Sequence, residues 1–312
     1  MLLCGNGKAI ITSEKGTPMG GYWGRDPEIG TTGVNDDLFA RVVLLNKLSD
    51  QNRCWCCIIS LDLIGLDSKT CTLLKQDIIS SMNGPVSLTT NNIMILCTHT
   101  HTGPQTHTSF IGMGHVDQET YVANVLRRGV INAFQQALRN MSPASMYHGK
   151  TKPLQNVSIN RRQRVKEQVD EPTTSTEPTT STEPTTSTEP TTSTEPTTST
   201  EPGQTNVKWF EKAGQTKLGH NASGAKYDSA EVIQFCQEHT RTIIVTLVCY
   251  GCHPTTVGPE LKQSADFCGA LISSLEETTK SPAMFLNGCC GDINPFFHRS
   301  GYEGAVRFDL FL

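Results

Sequence analysis

Apolar residues gather in short runs rich in valine and isoleucine: Phe39–Leu45, Cys56–Ile64, Ile93–Cys97, Ile243–Cys249 and Ala283–Leu286. Runs this short and this branched predict buried strands rather than helices. Between them, Ser68–Met82, Gln118–Asn140 and Phe267–Thr278 read as helices. In the second, Val122, Val125, Leu126, Val130 and Phe134 recur at helical spacing, and Ser142-Pro143 supplies the stop. Strands alternating with helices predict an α/β domain: a mixed, largely buried β-sheet core flanked by helices.

One stretch breaks the pattern. Residues 171–200 are five copies of EPTTST, closed by Glu201-Pro202. They carry no apolar side chain and a proline at every sixth position, so a disordered insertion at 171–202 is expected in a surface loop. Tracts of this composition resemble O-glycosylated stalks and point to an extracellular or cell-surface setting. Met1–Gly5 shows no signal-peptide pattern, which leaves the compartment open. The longest apolar stretch, Cys54 to Leu66, is interrupted by Ser60 and Asp62 and is too short for a transmembrane segment.

Charge removes another class. The net charge is −4, and the basic residues form no stripe beyond Arg161-Arg162-Gln163-Arg164, so no nucleic acid partner is expected. Twelve cysteines sit mostly within the apolar runs, where reduced core thiols are expected. The CxxC spacings Cys54…Cys57 and Cys249…Cys252 fall in strand-like sequence, unlike the turns of a zinc ribbon.

Three predicted strands open into polar loops: Ile93–Cys97 into Thr98-His99-Thr100-His101-Thr102-Gly103-Pro104, Ile243–Cys249 into Tyr250-Gly251-Cys252-His253-Pro254, and Ala283–Leu286 into Asn287–Pro295. Open α/β sheets bind ligands beyond the carboxyl ends of their strands. His99 and His101, at i and i+2 of an extended segment, would face one side, and His253 offers a third imidazole for zinc. His107 and His115 are further candidate ligands. Asp292 is placed to orient an imidazole as a carboxylate acceptor and Asn294 to donate to a developing oxyanion. The alternatives are local backbone bonding for the histidines, an ordinary turn for 287–295, and solvated surface for Arg161.

In order and spacing, several motifs resemble the neutral (non-lysosomal) ceramidase family of zinc-dependent amide hydrolases. They are Gly7–Thr12 with Gly16–Tyr22, Leu61-Asp62-Leu63, Thr98–Pro104, Ile159-Asn160-Arg161, Cys252-His253-Pro254, Ser264-Ala265-Asp266 and Asn287–Pro295. The resemblance implies that His99 and His253 are zinc ligands and that His101 and Arg161 line the pocket around substrate. It implies ceramide or a related N-acyl lipid as substrate, and with it peripheral membrane contact. It also implies a glutamate and a tyrosine ligand from further along the chain than Leu312, so that 1–312 is expected to be an incomplete N-terminal catalytic domain. Where family members carry a serine in a GDxSP-type loop, this chain has Asn294 in Gly291-Asp292-Ile293-Asn294-Pro295. An amide is no hydroxyl nucleophile, which leaves zinc-activated water for the attack.

Three functions are therefore weighed: a zinc-dependent amide hydrolase using His99, His253, His101, Arg161, Asp292 and Asn294; a catalytically inactive relative with a binding or surface-display role; and a thiol-dependent hydrolase using Cys252 or Cys289.

Overall fold

Side chains on a strand alternate between its two faces, and here that alternation sorts the apolar residues into separate layers. The computed structural model describes residues 1–22, 25–26, 29–48, 53–82, 88–106, 119–164 and 216–296. In chain order these form β1 (Leu2–Ile10), β2 (Gly33–Val34), β3 (Phe39–Leu48), β4 (Arg53–Leu61), α1 (Ser68–Ser80) and β5 (Ile93–Cys97). A continuous helix follows, made of α2 (Glu119–Tyr121), a π-helical turn (Val122–Leu126) and α3 (Arg127–Arg139). The remainder is β6 (Ser142–Lys150), β7 (Ser158–Arg164), β8 (Thr216–Asn221), β9 (Glu231–Gln237), β10 (Ile243–Tyr250), β11 (Lys262–Gln263), α4 (Asp266–Thr279), β12 (Ala283–Asn287) and β13 (Ile293–Pro295).

Eight strands make one mixed sheet in the order β12-β10-β9-β6-β1-β3-β4-β5. The β4–β5 and β10–β12 pairs are parallel and the other neighbours antiparallel. The sheet folds so that its halves face each other. Ser60 Oγ on β4 donates to Phe285 O on β12 at 2.6 Å, and Asn6 Nδ2 on β1 donates to Ile244 O on β10 at 3.0 Å. Between the halves lie Cys4, Val43, Phe235, Val245, Leu247 and Met284. The alternate residues Val42 and Leu44 turn outward to a cluster with Phe134 and Ala137 of α3 and Leu74 of α1. On the other half, Val248, Tyr250 and Phe285 turn outward to Cys268, Leu271 and Ile272 of α4. The predicted flanked sheet is thus present, folded over with helices on both outer faces.

Local chemistry sets the helices. Asp67 caps α1 by accepting from Thr70 N at 2.6 Å. A two-pronged ion pair from Arg127 to Asp77, at 2.7 and 2.8 Å, ties α3 to α1. Helix α3 lies so close on β1 that a Cβ on Gly7 would stand 2.0 Å from Ala133 O, so β1 needs a residue without a side chain there. The same requirement hides β1 from a search for apolar runs. β6 is hidden for another reason: Met146, Tyr147 and His148 are exposed, so the strand carries little apolar signal.

Residues Arg162–His220 cluster as a second, small unit, in which Gln163 of β7 lies against Gly219 of β8. The insertion expected at 171–202, and the candidate ligands His107 and His115, lie outside the described residues.

Candidate metal centre

The three loops predicted to meet do meet. His99 follows β5 and takes a left-handed backbone with φ 70°, a conformation uncommon outside glycine and retained where the surroundings hold it. Here His99 N donates to Leu63 O at 2.9 Å and Nδ1 donates to Ile64 O at 2.6 Å. The extended-segment argument for His99 and His101 is thereby corrected, since the first residue is not extended. Their rings nonetheless approach, with centroids 5.1 Å apart. The alternation survives in the threonines: Thr100 Oγ1 and Thr102 Oγ1 both donate to Ser264 O, at 2.7 and 2.9 Å, anchoring the buried side of the loop.

His253 follows β10. Its backbone N donates to Ile293 O at 2.8 Å, and its Nδ1 donates to Cys290 O at 2.8 Å. A carbonyl oxygen only accepts, so in both His99 and His253 the ring hydrogen sits on Nδ1. The two Nε2 atoms, each bare in a neutral ring, lie 3.1 Å apart. Two lone pairs at that distance repel unless a cation or proton lies between them. Two nitrogens bound to one tetrahedral zinc, at about 2.0–2.1 Å each, would stand roughly 3.3–3.4 Å apart. The donor set therefore fits zinc. Cys290 Sγ joins it, the three ligand atoms all lying within 4.8 Å of one another.

His101 completes the ring cluster, with centroids 5.0 Å from His253 and 5.2 Å from Tyr22. Both its ring nitrogens are shielded from solvent and find no partner of good geometry among the described residues. Burial, and then the neighbouring His99, His253 and Arg161, push its pKa down to about 3 against the pull of the Gly21 backbone. That backbone presses on the ring: a Cβ on Gly21, where φ is +105°, would stand 2.7 Å from His101 Cα. The pKa of His99 is also lowered, first by burial and with a smaller share from Arg161.

Arg161 lies beside the cluster and is held by the third loop. Its Nε and Nη2 donate to Gly291 O at 3.0 and 2.8 Å, its Nη1 to Asn294 Oδ1 at 3.4 Å, and its backbone N to Asp292 O at 2.7 Å. Asp292 departs from expectation. Its Oδ2 accepts from Asn160 Nδ2 at 3.1 Å, while the imidazoles are oriented by the carbonyls of Ile64 and Cys290. A short loop can turn its own carbonyls onto a ring, so no carboxylate is required.

Arg25 was not singled out from the sequence, and Asp266 stood there only within the Ser264-Ala265-Asp266 motif. Arg25 donates to Gly20 O, His101 O and Glu260 O, clamping the glycine loop to the histidine loop. Buried Asp266 accepts from Thr256 N and Val257 N at 3.1 and 3.0 Å and fixes the turn after His253. Of the adjacent cysteines in the third loop, Cys289 is exposed and Cys290, the one within reach of the imidazoles, is half-buried. Cys252, weighed as a nucleophile, is buried among apolar residues beside Tyr250, Phe267 and Cys268, and burial raises its pKa well above the usual thiol value.

The fold is that of neutral ceramidase from Pseudomonas aeruginosa, with TM-score 0.66 and 16% identity over 97% of this chain and 41% of that chain. A ceramidase solved in complex with C2 is similar as well, with TM-score 0.64 and 16% identity over 94% of this chain and 38% of that one. The chain thus spans about two fifths of the length of these structures. Residues 2–171 match the N-terminal model of the neutral/alkaline non-lysosomal ceramidases, and the chain belongs to that family. No curated protein matches it.

Proposed function

We propose that this chain forms part of a zinc-dependent amide hydrolase acting on ceramide or a related N-acyl lipid, with His99 and His253 as imidazole ligands and Cys290 within reach of the same ion. The facing Nε2 atoms, 3.1 Å apart with both Nδ1 atoms donating to carbonyls, carry this reading. Zinc bound there would polarise an amide carbonyl and lower the pKa of water towards about 7.

The chain's own residues supply the rest. The carbonyls of Ile64 and Cys290 hold the two rings in the tautomer a cation requires. His101, its pKa pushed down to about 3, is too weak a base to carry charge at neutral pH. It serves as a neutral ring whose N–H donates one hydrogen bond to the reacting carbonyl oxygen. Arg161, pinned through Gly291, places a fixed positive charge where negative charge would develop on the carbonyl oxygen. Asn294 has no hydroxyl to offer, so water is the nucleophile in this reading. A lipid substrate would bring the protein to a membrane surface; no helix among the described residues is long and apolar enough to cross one.

Metal analysis tests the proposal. The purified chain should hold about one zinc, which His99→Ala and His253→Ala each abolish; full retention by both variants removes the reading. A second reading, an inactive relative with a binding role, is favoured by Asn294 in place of the family's serine. Turnover of a short-chain fluorescent ceramide by the zinc-loaded protein would argue against it.

A further inference from the structure

We infer that Asn287 is the positioning residue of this centre: one amide side chain ties together the loops bearing His99, His253 and Cys290 and sets the separation of the two imidazoles. The inference rests on the metal site proposed above. Asn287 ends β12 and pairs with Tyr250 at the end of β10. Its Nδ2 donates to Thr98 O at 2.7 Å, and its Oδ1 accepts from Cys252 N at 3.4 Å. Thr98 and Cys252 are the residues immediately before His99 and His253. Burial raises the pKa of the Cys290 thiol, and a hydrogen bond with the same amide offsets part of that rise.

Topology explains why such a tie is needed. β5 and β12 are the two edges of the eight-stranded sheet, so no strand ladder fixes the β5 loop relative to the β10 and β12 loops. Other links between these regions lie further along the loops: Ser264 N to Thr102 O at 3.0 Å, the threonine bonds to Ser264 O, and a long His101 N to Pro254 O contact at 3.4 Å. Asn287 acts one residue from each ring. Its job needs a donor on one side and an acceptor on the other, held by one rigid plane. Asparagine supplies both, and aspartate supplies only the acceptor.

The chemistry gives an asymmetric test. In Asn287→Asp the bond from Cys252 N survives, while a carboxylate oxygen faces the Thr98 carbonyl and releases the His99 loop. In Asn287→Ala both ties go. Imidazole nitrogen NMR of the metal-free chain should show Nδ1–H tautomers for His99 and His253 in the parent. Asn287→Asp should move the His99 signals to a mixed tautomer and leave those of His253 in place, and Asn287→Ala should move both. Zinc affinity, measured by chelator competition, should fall by about 10- to 100-fold in each variant. Unchanged ring signals and unchanged affinity in both variants overturn the inference, and so does loss of folding in both, which would make Asn287 a general structural residue. If the parent binds no zinc, the metal reading fails alone, and the ring signals of the metal-free variants decide for or against Asn287.

Discussion

Arg41 and Asp62 form a buried ion pair at 2.7 Å directly beneath the histidine loop, and Asp62 Oδ2 also accepts from Phe39 N at 2.9 Å. The carboxylate thus holds the start of β3 against the end of β4. Removing one partner of such a pair strands the other charge in the interior, a cost of about 3–5 kcal/mol. Asp62→Ala should therefore lower stability by that order in urea unfolding. A change of only a few tenths would show that water reaches Arg41 in the native protein.

Zinc binding should stabilise the folded state by mass action. At a free zinc concentration of one hundred times Kd the gain is about 2.7 kcal/mol. The unfolding midpoint should rise on adding zinc and return on adding chelator. His99→Ala and His253→Ala should each show no such rise. A zinc-dependent shift that persists in both variants would place the ion elsewhere.

The sequence disclosed those parts of the molecule whose physics is local. β5 was legible to the residue because both ends of its apolar run are marked, and the helix that ends at Arg139 through its apolar spacing and the Ser142-Pro143 stop. The convergence of three strand ends was legible from the Gly- and Pro-containing loops that follow them. As apolar runs β1 and β6 were not, since one trades side chains for close approach of α3 and the other exposes a face to solvent; only the family resemblance of Gly7–Thr12 pointed to a strand at β1. Within the site, the loops after the strand ends pointed to His99, His101 and His253 together, and the family resemblance alone set His99 and His253 apart as the ligand pair. The carbonyls of Ile64 and Cys290 that orient them could not, because every residue has a carbonyl and only the fold says which one turns inward. Asn287 and Arg25 were obscure for the same reason: their partners are backbone atoms distant in sequence.

Thiol reactivity separates the roles of the cysteines. Burial pushes Cys4 and Cys97 up to about 12 and raises Cys252 and Cys268 well above the ordinary value, so at pH 8 they hold almost no thiolate. Cys54 and Cys289 are exposed. Alkylation of the native protein, read by peptide mass spectrometry, should label Cys54 and Cys289 first and Cys252 only after unfolding. Zinc should slow labelling of Cys290 and leave Cys289 unaffected. Equal labelling of Cys290 with and without zinc would remove it from the metal shell.

His101 makes stability depend on pH in a direction that can be worked out. Its folded pKa is about 3, chiefly through burial, against an ordinary value of 6.5 for the unfolded chain. Between those values the unfolded chain takes up a proton that the folded protein refuses, so stability rises with pH across this window and falls as pH drops below 6.5. A single such group contributes a slope of at most about 1.4 kcal/mol per pH unit. His99 adds to the slope with the same sign, its pKa being lowered mainly by burial. Measuring urea midpoints between pH 6.5 and 5 keeps most carboxylates ionised and isolates the histidines. His101→Gln, which cannot titrate, should be shallower than the parent in metal-free buffer, whatever its absolute stability. Parallel slopes for the two proteins would mean that His101 takes up its proton in the folded state, which would require a ring open to solvent rather than packed against Gly21 and Tyr22.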